Sequence, residues 1–271
     1  MMSVPGLEIP AIGFGTSKLV HCDQVVATAL RAGYRLIDTA RKYATEEGVG
    51  EGIRASGIPR QDIFVVTKVS HENLRAADFA RSVNESLAAL KLDYVDLLLI
   101  NWPSPDGIPL AETIGALARA KRVGLARHIG VCNYTIALLK DAMRVASEPL
   151  TVLQAEYHPY LDQSKLLQFC REAGLLFMAY CPVRHKDLFT DPVLVNIAHA
   201  HDKTVSQIVL RWLIQQGNIV PIPRSQSPQH IAENIAVFDF ELTAEEMKAI
   251  FRLKRPDGRL SQPAGLAPHW D

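Results

Sequence analysis

Four polar side chains stand at or just beyond the ends of apolar runs, where they could act together in acid–base chemistry. Asp38 ends "YRLID", Tyr43 lies in the segment that follows, Lys68 comes after "FVVT", and Asn101 comes after "DLLLI". A lone charge at the end of a buried strand is costly without a partner, so we expect Asp38 and Lys68 to pair. A purely structural ion pair accounts for these two residues equally well.

Tyr43 favours the chemical interpretation of the cluster. A nearby ammonium group stabilises a phenolate, so we expect Lys68 to let Tyr43 act as a general acid well below the usual tyrosine pKa of about 10. A phenol of that kind suits proton donation to a carbonyl oxygen. The role of Asn101 is open at this point.

The elements that must position these residues recur along the whole chain. Eight short apolar runs read as strands: "AIGFG" (11–15), "YRLID" (34–38), "IFVVTKV" (63–69), "YVDLLLI" (94–100), "RHIGVC" (127–132), "TVLQAEY" (151–157), "LLFMAY" (175–180) and "NIVPIP" (218–223). They are nearly continuously apolar, as in strands buried on both faces. Helix-like segments separate them, and Gly33 and Gly174 stand where helix C-caps are expected.

Eight such repeats with short connections predict an α/β fold, a (β/α)8 TIM barrel formed by one domain over residues 1–271. Functional residues of such a barrel lie at the carboxyl ends of its strands. The segment 259–271, "RLSQPAGLAPHWD", contains two prolines and a glycine and is predicted to be an ordered loop near the substrate pocket.

Composition excludes several classes of function. The 271 residues are 48% hydrophobic, with 29 basic and 29 acidic side chains, and this balance argues against nucleic acid or an anionic membrane as a partner. The four cysteines form no CxxC pair and no apolar run approaches the ~18 residues of a membrane span, so we expect reduced thiols in a cytoplasmic protein. His199 and His201 would point to different sides of a helix, and no metal site is predicted.

Two further motifs concern anion binding. "GVGEG" (48–52) follows no strand and lies in a predicted helix, which argues against a dinucleotide-binding loop. In "VPIPRSQSPQHIAEN", Arg224 and Ser225 precede a predicted helix with Ser227 as N-cap and Pro228 at its first position. This arrangement suits an anion, and an ordinary capped helix explains it equally well.

Taken together, the motifs resemble one family. "GYRLIDTARKYATEEGVGEGI", "VVTKV", "YVDLLLINWP", "RHIGVCNY", "LQAEYHPY", "MAYCP" and "IPRSQSPQHIAENIAVFDFEL" resemble an aldo-keto reductase from end to end, and "GLAPHWD" is similar to the 2,5-diketo-D-gluconate reductases of the B type. The resemblance implies reduction of small carbonyl compounds by a nicotinamide cofactor. It implies that Tyr43 donates the proton and that Lys68 and Asp38 tune it. Asn101 replaces the histidine that usually orients the carbonyl group.

The resemblance also implies a cofactor site. Its residues are Thr16, Cys132, Asn133, Gln154, Tyr180, Cys181, Val183, Arg224, Ser225, His230, Glu233 and Asn234. Asn133 and Gln154 would hold the carboxamide, Tyr180 would stack on the nicotinamide, and Arg224 with Ser225 would face the 2′-phosphate. His230 replaces a common arginine, so we expect NADPH to be used with NADH also accepted.

The substrate pocket is less defined. Phe14, Trp102 and Trp270 are candidates for its apolar wall, with packing at the rim as the alternative for each. Because Asn101 cannot relay a proton, a low-turnover nicotinamide-binding or redox-sensing protein is an alternative function. The resemblance implies a further alternative, reduction of an enone C=C bond, because steroid-reducing relatives also replace this histidine. We expect the protein to be a monomer.

Overall fold

A two-stranded hairpin precedes the first predicted strand in the computed structural model, which describes residues 1–271. Strands β1 (Met2–Val4) and β2 (Leu7–Ile9) pair antiparallel, and Gly6 takes the positive φ of 78° that the turn between them needs. Leu7 and Ile9 are buried against the inward-facing side chains of the barrel. The hairpin therefore closes the amino-terminal end of the barrel, a role that the sequence pattern did not predict.

All eight predicted strands are present, and they form one parallel sheet. They are β3 (Phe14–Gly15), β4 (Leu36–Asp38), β5 (Phe64–Val69), β6 (Val95–Ile100), β7 (Ala126–Cys132), β8 (Val152–Glu156), β9 (Leu176–Tyr180) and β10 (Ile219–Ile222). Each strand pairs with its neighbour in the chain. The first and last strands also meet, because Gly13 N and Gly15 N donate to the carbonyl oxygens of Pro221 and Pro223, each at 2.9 Å. The predicted (β/α)8 barrel is confirmed.

Ten α-helices surround or extend the sheet. They are α1 (Cys22–Arg31), α2 (Glu46–Ser56), α3 (Ala76–Leu90), α4 (Leu110–Arg122), α5 (Ile136–Val145), α6 (Ser164–Glu172), α7 (Pro192–Ala200), α8 (Val205–Gln215), α9 (Pro228–Ile235) and α10 (Ala244–Phe251). Ser227 caps α9 and Pro228 opens it, as predicted. None of these helices is long and apolar enough to cross a membrane.

The glycines of "GVGEG" serve packing. They lie within α2, where a Cβ on Gly50 would come within 2.1 Å of the Leu90 carbonyl oxygen and one on Gly52 within 2.6 Å of the Asp23 carbonyl oxygen. The absence of side chains lets α2 approach α1 and the end of α3 closely. The rejection of a phosphate-binding loop at this motif is consistent with that geometry.

Side-chain direction divides the core into two layers. Along β5, Phe64 and Val66 face the barrel interior, whereas Val65 and Val69 pack under the helices. Lys68 shares the inward parity of Val66, because side chains alternate along a strand. This alternation decides which residues near each strand end reach the carboxyl-terminal mouth of the barrel.

Candidate active site

The carboxyl-terminal mouth of the barrel gathers most of the predicted site. The inward-facing positions near the strand ends are Asp38, Lys68, Cys132, Gln154, Tyr180 and Ile222, and Asn101 follows β6 with the same parity. They come from seven different strands, so no sequence window contains more than one of them. Because the strands are parallel, their carboxyl ends meet at the same mouth of the barrel.

Asp38 and Lys68 form the predicted ion pair. Lys68 Nζ lies 2.6 Å from Asp38 Oδ1 and donates a second hydrogen bond to the Thr39 carbonyl oxygen at 2.8 Å. Gln154 Nε2 donates to the other carboxylate oxygen, Asp38 Oδ2, at 2.8 Å. Both charges are almost fully buried. The pair is thus compensated by hydrogen bonds as well as by charge, which is what a buried pair requires.

Lys68 is held as a cation. Burial alone would lower the pKa of its ammonium group, but the charge of Asp38, aided by Tyr43, outweighs that effect and the pKa of Lys68 is raised. The side chain therefore keeps its positive charge across the physiological pH range. It can stabilise a negative charge that develops on a neighbouring group.

Tyr43 lies above this pair, in a 3₁₀ turn formed by Arg41–Tyr43. Lys68 Nζ is 5.2 Å from the centre of its ring, and the phenol lines the cavity at the mouth of the barrel. The expectation of a lowered pKa is wrong. Burial raises the pKa of Tyr43, and the opposing effect of Lys68 is smaller. The phenol is consequently a protonated acid, and Lys68 acts by stabilising the phenolate formed when the proton leaves.

Asn101 presents a free carboxamide to the same cavity. Its backbone N–H donates to the Val69 carbonyl oxygen at 2.9 Å, and its own carbonyl oxygen accepts from Asn133 Nδ2 at 2.9 Å. The backbone is therefore fixed, while the side-chain amide has no hydrogen-bond partner in the protein and lines the cavity. It can offer an N–H donor to a ligand.

The cavity has a volume of about 630 Å³ and contains most of the predicted contacts. The predicted residues that line it are Thr16, Asp38, Tyr43, Asn101, Trp102, Asn133, Gln154, Tyr180, Cys181, Val183 and Arg224. Residues that the sequence analysis missed also line it, namely Gly15, Ser17, Lys18, Lys42, Pro182, Arg184, Ile222 and Ser261. Most of these missed residues are sequence neighbours of predicted ones. Adjacency was thus the available signal for most of them, and Ser261 lies in the segment 259–271 predicted near the pocket, but only the tertiary structure shows which neighbours face the cavity.

Several predicted cofactor contacts lie outside the cavity. Cys132 does not line it, because its sulfur is buried in the inward-facing layer and burial raises the pKa of the thiol. Ser225 Oγ is engaged by the turn that precedes α9, accepting from Ser227 N at 3.1 Å. Glu233 accepts from Gln229 within α9 at 2.7 Å, and His230 is exposed on the same helix. Asn234 is buried in α9. Ser225, His230, Glu233 and Asn234 can contact only a ligand that extends beyond the cavity.

The cavity suits a nicotinamide dinucleotide. Asn133 Nδ2 donates one N–H to the Asn101 carbonyl oxygen and keeps the other uncommitted, while its Oδ1 accepts from the Tyr180 hydroxyl at 2.8 Å. The side-chain oxygen of Gln154, Oε1, has no partner, because only Nε2 of that amide is engaged. These groups match a carboxamide. Lys18, Arg184 and Arg224 line the cavity and none of them belongs to an ion pair, so phosphate charge would find unpaired cations there.

Of the three predicted wall residues, the cavity includes one. The expectation for Phe14 is wrong: it points outward from β3, is 1% exposed and packs edge-on against Tyr34. Trp102 lines the cavity, whereas Trp270 does not line it and contacts Trp102 edge-on with a ring separation of 6.2 Å. Trp270 therefore supports the wall without forming its surface.

The carboxyl-terminal segment reaches the cavity through a buried carboxylate. Glu156, at the end of β8, accepts hydrogen bonds from Leu260 N at 2.6 Å and Ser261 N at 2.7 Å. His158 Nε2 lies 2.9 Å from the same carboxylate. Asp271, the last residue, accepts from Ile136 N at the start of α5. These contacts fix both ends of the segment over the mouth of the barrel.

No group of three or more His, Cys, Asp or Glu side chains is arranged to hold a metal ion. His199 is exposed, and His201 Nε2 lies 2.9 Å from Glu246 Oε1. His199 and His201 thus do not share a site, since one faces solvent and the other contacts Glu246.

Known proteins share this sequence and architecture. The model of the aldo/keto reductase family matches residues 11–255. Methylglyoxal reductase DkgB of Escherichia coli O157:H7 is 40% identical over 98% of this chain and 100% of its own. A crystal structure described as a candidate 2,5-diketo-D-gluconic acid reductase B is 44% identical, with a TM-score of 0.95 over 97% of this chain and 94% of its own.

A third relative was solved with a cofactor. The aldo-keto reductase of Bombyx mori, in complex with NADP, is 35% identical with a TM-score of 0.86 over 92% of this chain and 91% of its own. These relatives carry reductase names, and nothing in them favours a low-turnover sensor. The family model matches most of the chain, and the mouth of the barrel holds Asp38, Tyr43 and Lys68. This chain therefore belongs to the aldo/keto reductase family, as a nicotinamide-dependent carbonyl reductase.

Proposed function

We propose that this protein reduces small aldehydes and ketones to alcohols with Tyr43 as the proton donor and Asn101 as the group that orients the carbonyl. The observation that carries the proposal is that both side chains line one cavity together with Asp38, the buried partner of Lys68. When bound, the nicotinamide supplies a hydride to the carbonyl carbon. The chain supplies the proton and the electrostatic environment.

Tyr43 supplies that proton to the carbonyl oxygen. Its phenol is protonated because burial raises its pKa, so an acid is present before negative charge develops on the substrate. Once the proton has left, Lys68 stabilises the phenolate, and Asp38 keeps Lys68 charged and in place. Water at the open cavity restores the phenol after the alcohol departs.

Asn101 has a different part in the reaction. Its uncommitted N–H can donate to the carbonyl oxygen, a contact that strengthens as charge develops there. An amide neither titrates nor relays a proton, so all proton transfer falls to Tyr43.

The substrates that we propose are 2-oxoaldehydes and keto-sugar acids. Two relatives are named for methylglyoxal and for 2,5-diketo-D-gluconic acid, and both cover nearly the whole chain. A mouth of about 630 Å³ that must also admit the nicotinamide leaves space for a small carbonyl compound.

NADPH is the proposed cofactor, with NADH accepted at a rate not far below it. Arg224 provides one permanent charge at the cavity edge and donates to the Ser17 carbonyl oxygen at 2.7 Å. His230, on exposed α9, would add at most a partial charge near a 2′-phosphate. His230→Arg should shift the preference toward NADPH by roughly tenfold, the value of one charge-assisted contact. A thousandfold preference for NADPH in the unaltered protein would contradict this assignment.

We also propose a monomer that acts in the cytoplasm. All four cysteines are free thiols, as suits a reducing compartment. Size-exclusion chromatography at working concentration tests the first statement.

The decisive experiment is steady-state oxidation of NADPH with methylglyoxal, keto-sugar acids and aromatic aldehydes, combined with identification of the alcohol. Turnover of at least one class is expected. An enone in the same panel separates C=O from C=C reduction. Absence of turnover with tight NADPH binding would overturn the proposal in favour of a nicotinamide-binding protein.

Two substitutions test Asn101 within this scheme. Asn101→Ala should lower kcat, because the loss of one oxyanion donor raises the activation free energy by about 2.7 to 4 kcal/mol. The affinity for NADPH should change little. Asn101→His should raise the rate, on the order of tenfold, because it exchanges one donor for a better acid. If alanine is as active as asparagine, the free carboxamide plays no part in the reaction.

A further inference from the structure

The cavity is strongly cationic although the whole chain has no net charge. Its charged lining consists of Lys18, Lys42, Arg184 and Arg224 against one carboxylate, Asp38. Asp38 already carries hydrogen bonds from Lys68 and Gln154. The cations at the surface of the cavity therefore face a space that contains no free protein carboxylate, and anions will be attracted to it.

These cations divide into two groups by their position around the barrel. Lys18, Arg184 and Arg224 follow β3, β9 and β10, three neighbouring strands, and we have proposed that this side receives the cofactor phosphates. Lys42 follows β4 and lies immediately before Tyr43 in the same turn. Asn101 and Trp102, after β6, line the cavity as well. Lys42 is thus the cation next to the proposed proton donor.

The present partner of Lys42 is weakly held. Its Nζ lies 3.6 Å from Glu72 Oε1, and the two side chains are 50% and 62% exposed. An exposed pair at this distance is worth less than about 1 kcal/mol. The other oxygen, Glu72 Oε2, accepts from Ser70 Oγ at 2.9 Å, which holds the carboxylate at the rim. Lys42 can therefore turn toward a ligand at little cost.

Arg41, one residue earlier, provides a contrast. It contacts the buried carboxylate of Glu46 at 3.5 Å and Glu85 at 3.6 Å, and it does not line the cavity. Two consecutive cations thus have different roles, since Arg41 is occupied by the fold and Lys42 faces the cavity.

We propose that Lys42 binds the carboxylate of the substrate, so that the preferred substrates are oxo acids whose carboxylate lies several bonds away from the reacting carbonyl. This inference rests on the proposed function. Side chains of consecutive residues in a 3₁₀ turn diverge, by about 120°, so a molecule that meets both Tyr43 and Lys42 must place its carbonyl and its anion apart. Trp102 supplies an apolar surface along the cavity for the carbon chain between them.

The test compares two aldehydes that differ only in charge, 4-carboxybenzaldehyde and 4-carbamoylbenzaldehyde. In the unaltered protein we expect a higher kcat/KM for the acid, and Lys42→Met should reduce the acid-to-amide ratio about fivefold, through KM of the acid. Lys165→Met, which removes the same charge from an exposed position on α6 outside the cavity, should leave the ratio unchanged. Raising the ionic strength should reduce the ratio in the unaltered protein and in Lys165→Met, which both retain Lys42, but not in Lys42→Met.

Glu72→Gln provides the opposite change. It removes the competing carboxylate while retaining the chain length, so the acid-to-amide ratio should rise about twofold to threefold. An acid-to-amide ratio that is the same in Lys42→Met as in the unaltered protein would overturn the inference.

A binding experiment separates this inference from the proposed function. Titration with 4-methylbenzoate and 4-methylbenzamide, followed by tryptophan fluorescence, reports occupancy without turnover because Trp102 lines the cavity. Tighter binding of the benzoate, lost in Lys42→Met, supports the carboxylate site even if neither aldehyde is reduced. Equal binding of both compounds contradicts the carboxylate site even if both aldehydes are reduced.

Discussion

Asp38 and Asp96 are buried carboxylates that pair with cations at opposite ends of the barrel, and their surroundings differ. At the carboxyl-terminal mouth, Asp38 pairs with Lys68, both side chains are at most 6% exposed, and Tyr43 and the cavity lie above them. Near the amino-terminal end, Asp96 at the start of β6 pairs with Arg60 at 2.7 Å and with Arg127 at 3.2 Å. Its Oδ2 also accepts from Val65 N at 2.9 Å.

The amino-terminal pair is a closed structural arrangement. Both guanidinium groups stack on the ring of Tyr94, at 4.5 Å and 4.1 Å, and Arg127 is half exposed. Planar guanidinium groups suit this stacking, whereas the compact ammonium of Lys68 concentrates its charge next to one phenol. An ion pair at a strand end is thus uninformative by itself. Each pair has a tyrosine beside it, so what distinguishes the functional pair is the cavity that Tyr43 and Asp38 line.

Tyr43→Phe should break the functional pair with the largest effect. The substitution removes only the hydroxyl, so kcat should fall by roughly a thousandfold, within the usual range for loss of a general acid, while NADPH affinity stays nearly unchanged. Steady-state NADPH oxidation and a cofactor titration measure the two quantities. Retention of more than about a tenth of the turnover would remove Tyr43 from the acid role.

Lys68→Met should reduce kcat by roughly a hundredfold, because the phenolate loses the charge that stabilises it. It should also lower the free energy of unfolding by about 3 to 5 kcal/mol, since Asp38 is left buried without its cation. The double variant Lys68→Met, Asp38→Asn removes that stranded charge and should recover most of the stability without activity. Recovery of activity in the double variant would show that Lys68 is not needed at Tyr43.

Asp96→Asn sharpens the comparison at the other end of the barrel. Arg60 and Arg127 remain partly solvated, and an amide oxygen can still accept from Val65 N, so the free energy of unfolding should fall by only about 1 to 2 kcal/mol. Urea unfolding measures this change. The kcat of the folded protein should equal that of the unaltered enzyme, and a loss of kcat would contradict the division between the two ends.

The smallest expected effect is in the pH profile. A general acid works only while protonated, so the rate is present below the pKa of Tyr43 and is lost above it. Because that pKa is raised, the alkaline decline of kcat/KM should lie above the usual tyrosine value of about 10. An alkaline limb near pH 8 that disappears on replacement of Tyr43 would show that Lys68 outweighs burial.

The predicted parts of the site share a visible signal. The signal is a polar residue within or directly after an apolar run, as at Asp38, Lys68 and Asn101. Hydrophobic packing in the core does not account for a polar side chain at such a position. Gln154 and Tyr180 were assigned by resemblance, although the same alternation of inward positions would have identified them. Phe14 was misassigned because the sequence analysis attended to residue type and overlooked strand parity, which turns Phe14 outward between Gly13 and Gly15.

The sequence by itself determined the eight strands, the barrel and the polar residues at the strand ends, because burial on two faces and the breaks between elements are recorded locally in residue type. Only the tertiary structure decided that burial outweighs Lys68 in setting the pKa of Tyr43 and that Lys42 faces the cavity while Arg41 does not. It also decided that Glu156 holds Leu260 and Ser261, more than one hundred residues away, at the mouth. Desolvation, side-chain direction and long-range hydrogen bonds depend on which segments surround a group, and distance along the chain does not encode them.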